Sequence, residues 1–143
     1  MRDLHHSLRL VQALDPAPTT ADRFAAPIDR RGFEAVEHVV LIGSAGVALN
    51  GTMRFDLVLE SSDDGATWQR VTQEADVHAA GIDEDGVFAV IDAVAKAGAA
   101  YSVGYVGGRR YSRIGVLAVG SHGTGTPIAA VTLLGAAQIA PAN

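Results

Sequence analysis

The segment Thr52-Met53-Arg54-Phe55-Asp56-Leu57-Val58-Leu59-Glu60 decides the fold class. Met53, Phe55, Leu57 and Leu59 fall on one side of an extended chain, and Arg54, Asp56 and Glu60 on the other. Successive side chains of a strand point to opposite faces, so this alternation predicts a strand with one face buried. Upstream, Glu34 to Gly43 (EAVEHVVLIG) is a short apolar strand that stops at Gly43, and Ser44, Gly46 and Gly51 supply the turn between the two. Downstream, Gly86 to Asp92, Ala100 to Val106, Arg109 to Val119 and Pro127 to Leu134 have the same character. Gly107-Gly108 reads as a tight hairpin turn between two of these strands. Ser121 to Thr126 and Val77 to Asp85 read as loops, and Ala93 to Ala99 suits either a short helical turn or a flat connection.

These runs predict an all-β domain: a two-sheet antiparallel β-sandwich, jelly-roll-like, with an N-terminal arm. No run with helical periodicity is long enough to cross over between parallel strands. Residues 1–23 differ from the rest. Leu4, Leu8 and Val11 have helical spacing, while Leu8, Leu10 and Gln12 suit an extended run, and Asp15-Pro16-Ala17-Pro18-Thr19-Thr20 follows as a linker. The expected division is an arm and linker over 1–23 and a β-sandwich domain over 24–143. Leu4, Leu8, Leu10 and Val11 are then candidates for burial on a partner surface.

With 143 residues, 48% apolar and 19% charged, the chain suits one core-forming domain. It has no cysteine, hence no disulfide, thiol nucleophile or thiolate metal site. Its N-terminus lacks the apolar stretch of a secretory signal, and Pro127 to Ala140 is too short and too interrupted to insert in a membrane. The net charge of −5 argues against nucleic acid as a partner. That charge is unevenly distributed. Asp56 to Asp92 holds ten acids and one base, Arg70; the residues after Asp92 hold four bases and no acid. Two solvated surfaces are the plain reading; contact between the acidic side of one copy and the basic side of the next is the sharper one.

Ser61-Ser62-Asp63-Asp64-Gly65-Ala66-Thr67-Trp68 fits the S-x-D-x-G-x-T-W box that recurs in sialidase propellers. One copy does not build a propeller, so the box reads as a structural hairpin. Asp63 would accept backbone N–H groups, Gly65 would take positive φ, and Trp68 would pack on the next strand. No histidine pair among the five has zinc-motif spacing, and Asp83-Glu84-Asp85-Gly86 lacks the alternating oxygens of a calcium loop, so neither metal nor cofactor is expected. The glycine-rich pieces lack the Gly-Lys-Ser/Thr of a phosphate loop, no serine lies in a nucleophile elbow, and no constellation calls for an enzyme. Tyr101 and Tyr105 share strand parity and, with Arg109 and Arg110, are candidates for a subunit or glycan contact, against the plainer reading of cross-strand packing.

The order of motifs carries a resemblance. Ile28-Asp29-Arg30-Arg31-Gly32-Phe33-Glu34-Ala35-Val36 comes first, then the box ending at Trp68. Val103-Gly104-Tyr105-Val106-Gly107-Gly108-Arg109-Arg110-Tyr111 follows, and Ala129-Ala130-Val131-Thr132-Leu133-Leu134-Gly135 comes last. Over residues 4 to 135 this resembles a family of small virion proteins of tailed bacteriophages and gene transfer agents, the capsid-surface components. The resemblance implies a structural protein without catalysis: a head spike base, or a capsid decoration protein. It would be made in the bacterial cytoplasm and sit on the head surface of the particle. Its implied partners are the major capsid protein, a spike fibre or receptor-binding protein, and copies of itself, five of them if it occupies five-fold vertices. A carbohydrate-binding module, or a head–tail joining or tail component, is the alternative.

Overall fold

A computed structural model describes residues 3–79 and 81–139. In chain order the strands among the described residues are β1 (Leu8–Thr19), β2 (Arg23–Phe24), β3 (Ile28–Asp29), β4 (Phe33–Ile42), β5 (Arg54–Ser62), β6 (Gln69–Arg70), β7 (Val77–His78), β8 (Val87–Ile91), β9 (Ala99–Tyr105), β10 (Tyr111–Val119) and β11 (Thr126–Ala137). The described helical structure is two single turns of 3-10 helix, Glu74–Asp76 and Val94–Lys96.

Two antiparallel sheets pack as a sandwich. One has five strands in the order β1-β11-β4-β9-β7. The other has six: β10 and β5 at its centre, β2 and β3 in tandem along the free side of β10, and β6 and β8 along the free side of β5. Taking β2 and β3 as one interrupted strand and setting aside two-residue β6 and β7, the chain changes sheets at each step except β5 to β8. That is the double-sheet winding of a jelly roll.

Alternation along β5 is as its sequence dictates. Phe55, Leu57 and Leu59 point inward and are fully buried. Across the ladder they meet Ala118, Val116 and Ile114 of β10. Facing them are Val40 and Ile42 of β4, Val103 and Tyr105 of β9, and Ile128 and Ala130 of β11, in one continuous core. Side chains of this size contribute about 1.5–3 kcal/mol each when fully buried. A smaller cluster of Ile28, Val36 and Leu134, with Val11 and Phe33 packed against it, lies apart from the main core.

Three expectations are corrected. The stretch expected as an arm and linker over 1–23 is, from Leu8 to Thr19, no separate arm: β1 pairs with β11 from Leu8↔Gly135 to Thr19↔Thr126, and Ala13, Leu14 and Thr19 are buried. The prolines that suggested a linker lie on an edge strand, where a missing N–H costs little, and register shifts mark the stretch Gln12 to Ala17. Gly107-Gly108 closes no hairpin, because β9 and β10 belong to different sheets and the turn crosses the sandwich. The loop expected over Val77 to Asp85 opens with the short strand β7, which pairs with β9.

Candidate functional site

The outward faces of the two sheets differ in chemistry. On the six-stranded sheet, paired charges stand among apolar side chains, with Val119, Leu117, Val90 and Phe24 in the rows around them. Glu60 accepts from Arg113 at 2.7 Å and pairs with Arg70 at 3.1 Å, and Arg54 Nε lies 2.8 Å from Asp56. The Arg113 guanidinium also lies 4.2 Å from the centre of the Trp68 ring and 4.7 Å from that of Phe24. Phe24 reaches over β10 because Gly115 has no side chain: a Cβ there would come within 2.7 Å of the Phe24 ring and 2.9 Å of Val58. Val58 is fully buried although it is on the outward side.

The five-stranded sheet shows an apolar exterior. Directly opposed residues of an antiparallel ladder share a face, so the register reads out its rows. One row is Leu8, Gly135, Ala35. The next is Leu10, Leu133, Glu37, Gly104, His78. Then come Gln12, Val131, Val39, Ser102, and finally Ala129, Leu41, Ala100. Within these rows only Glu37 and His78 carry titratable groups. Leu10 is 69% exposed and Leu41 44%, while Val39, Val131 and Leu133 are half-buried. Leu4, 68% exposed, joins Leu8 and Leu10 around a shallow hollow beside β1. Antiparallel sheets with one solvated face ordinarily put polar residues there. A contiguous apolar face on a folded domain marks a surface that meets something.

Of the sequence-predicted site residues, Leu4, Leu8 and Leu10 come together on this side, whereas Val11 points inward to the small cluster with Phe33. Val39, Leu41, Val131 and Leu133 complete the face. They lie in the unbroken apolar stretches VVLI of 39–42 and PIAAV of 127–131, and in TLLG of 132–135, and the lack of alternation there was the available signal.

The box from Ser61 to Trp68 forms its turn with a different acid from the one expected. Asp64 Oδ1 accepts the N–H groups of Ala66 at 2.9 Å and Thr67 at 2.7 Å, and Ser62 Oγ donates to it at 2.8 Å. These bonds hold the Asp64 carboxyl well below the usual carboxylate range. The Asp63 side chain is 77% exposed and lies 3.6 Å from Arg109. Gly65 takes φ +74° as expected, and Trp68 carries the Arg113 guanidinium.

Tyr101 and Tyr105 share a face, but it is the inner one. Tyr105 is 1% exposed, so it makes no subunit or glycan contact and the plainer reading of packing holds: its ring is in the core and its hydroxyl accepts the Arg109 N–H at 3.1 Å. The Tyr101 hydroxyl donates to the Lys96 carbonyl at 2.8 Å. Arg109 donates to Gln69 at 2.7 Å. Arg110 grips Asp29 with two nitrogens, Nε at 3.0 Å, and holds that carboxyl down at about 2. With Arg9 and Arg31 this pair lines an open cleft of about 390 Å³ beside Val11 and Phe33.

Two histidines are buried, and neither lies in a group of potential metal ligands among the described residues. His38 sits between the sheets, with Nδ1 2.9 Å from Thr132 Oγ1 and Nε2 2.8 Å from Ser112 Oγ. Burial lowers its pKa to about 4. His122 stacks on Phe55 with ring centres 4.1 Å apart, and its Nε2 meets the Val119 carbonyl at 2.9 Å.

No family model matches the chain, and no curated protein does. Among solved structures it is similar to the SPBc2 prophage-derived protein YomS, with TM-score 0.41 and 10% identity over 93% of this chain and 98% of that one. It is similar to a chain of the capsid of Ralstonia phage GP4, with TM-score 0.45 and 13% identity over 94% and 86%. It is also similar to the CBM22-1–GH10 part of a Clostridium thermocellum endo-1,4-β-D-xylanase solved with xylohexaose. There the TM-score is 0.41 and the identity 12%, over 90% of this chain but 28% of that one. Likenesses this distant assign no role to the chain.

Proposed function

We propose that this protein is a non-catalytic structural component of a tailed-phage or gene-transfer-agent particle, seated on the outside of the head. In the finer form of the reading it is the base of a head spike, held on the major capsid protein and carrying a fibre or receptor-binding protein. The observation that carries the proposal is the apolar exterior of the five-stranded sheet, which has few titratable groups, whereas the opposite face carries internally paired charges among its apolar residues. One side of the sandwich is thereby suited to lie against protein and the other to face water. The motif order from Leu4 to Gly135 supports a capsid-surface family as the setting. Many copies on a symmetric shell would add their modest affinities by avidity. Of the two tyrosines on which a carbohydrate-binding module was considered, Tyr105 is buried in the core.

The test is sedimentation. Particles from producing cells are banded on a density gradient and probed for the tagged chain. The proposal expects the chain in the particle band, and expects Leu10→Asp with Leu41→Asp to move it to the soluble fractions while the variant stays folded. A wild-type chain absent from the particle band would overturn it.

A further inference from the structure

The charge imbalance along the sequence becomes a lateral polarity in three dimensions. One long edge of the sandwich is formed by β1 of the five-stranded sheet and by β2 and β3 of the other. At one end of that edge stand Arg9, Arg31 and Arg110. The acids near them are Asp29, already gripped by Arg110, and Glu34. Arg9 and Arg31 are exposed, and the Arg30 guanidinium lies over the Tyr105 ring at 5.5 Å.

The opposite long edge is formed by β7 of the five-stranded sheet and by β6 and β8 of the other. It holds Glu74, Asp76, Asp83, Glu84 and Asp85. Glu74, Glu84 and Asp85 are exposed, and Asp83 is spent locally, accepting the N–H groups of Asp85 and Val87. The bases on this side are Arg70, paired with Glu60, Lys96, paired with Asp92 at the far end of β8, Arg109, which donates to Gln69 of β6, and His78.

The two clusters are level. The row Leu10, Leu133, Glu37, Gly104, His78 crosses the five-stranded sheet from edge to edge. Arg9 is one residue from its start and Asp76 two residues from its end. With strands about 4.8 Å apart, roughly 19 Å separates β1 from β7. In the other sheet the Gly86 carbonyl, at the end of the acidic turn, accepts from Leu59. Three residues along β5, Ser62 pairs with Tyr111, next to Arg110.

We propose that copies of this chain associate head-to-tail, the acidic edge of one copy, Glu74 to Asp76 with Asp83 to Asp85, lying against the Arg9 and Arg31 cluster of the next. A contact between two different patches is heterologous, and it closes into a ring when the rotation permits. Both patches lie at the same end of the strands. A rotation about an axis normal to the sheets, passing beyond that end, therefore joins them and turns every apolar sheet face the same way. The association stands whether or not the apolar face meets a shell.

The test needs only the full-length chain, with mass read by light scattering or sedimentation velocity. The wild type forms oligomers at about 0.1 M salt and dissociates toward about 1 M, as the screening length falls from about 10 Å to about 3 Å. Arg9→Glu with Arg31→Glu, and separately Glu84→Arg with Asp85→Arg, each weaken association at least tenfold while thermal unfolding stays cooperative. Mixing the two reversed variants restores association, because each supplies the edge that the other lacks. A monomeric wild type at low salt overturns the proposal. So does an oligomer that ignores both reversals and dissolves instead on Leu10→Asp.

Discussion

His38 is a buried residue whose protonation state the fold depends on. It crosses between β4, β11 and β10 through two hydroxyl partners and has no acid beside it in those bonds. Burial alone lowers its pKa to about 4, against 6.5 for a free imidazole. The folded state thus holds the neutral ring, and the unfolded chain takes up the proton first as pH falls. Stability is full above pH 6.5 and declines between there and about 4, by on the order of 3 kcal/mol from this one group. Denaturant unfolding at a series of pH values should show this slope, and His38→Gln should flatten it; an unchanged slope would count against the assignment. The turn after β5 offers a sharper pair. Asp64→Ala should lower the melting temperature by a few degrees, whereas Asp63→Ala should leave it nearly unchanged, since only Asp64 receives the backbone N–H groups. The sequence motif placed the acid one residue too early, because a box of consensus positions does not say which of two adjacent carboxylates turns back onto the chain.

At the scale of elements, β1 and β10 are the informative strands. Deleting residues 2–19 removes an edge strand that covers β11 along most of its length. The truncated chain should therefore lose its cooperative thermal transition, where a detachable arm would leave it intact. On β10, Gly115→Ala forces a methyl group against Phe24 and Val58 and should destabilise by about 1–3 kcal/mol, measured by denaturant unfolding. Most of the strands were legible in the sequence: β5 by its strict alternation, β4, β8, β9 and β11 by apolar runs between turn residues. What misled was β1. Its prolines and its irregular register resemble a linker, and both are compatible with an edge position, where one side of the strand has no ladder to satisfy. The Gly107-Gly108 turn was equally opaque. A pair of glycines signals a sharp reversal, but whether the chain returns to its own sheet or to the facing one depends on partners distant in sequence.

For the whole molecule, the two outward faces and the two long edges each have a distinct chemistry. The apolar face was not legible as a site, because Val39, Leu41, Val131 and Leu133 are common strand residues, and only the register shows that they line up beside Leu10 on one exterior. The acidic and basic halves of the sequence were legible as a pattern. Their placement on opposite edges, at one level, came only with the strand order. In the proposed head-surface role the apolar face would lie against the shell and the face with the Arg113–Glu60–Arg70 group would look outward. An averaged electron-microscopy density of purified particles tests this most directly. The account predicts a β-sandwich on the outside of the head with the sheet bearing Leu10, Val39 and Leu41 against the shell. Particles whose head surface carries no such density, or a sandwich seated with that sheet facing solvent, would contradict it.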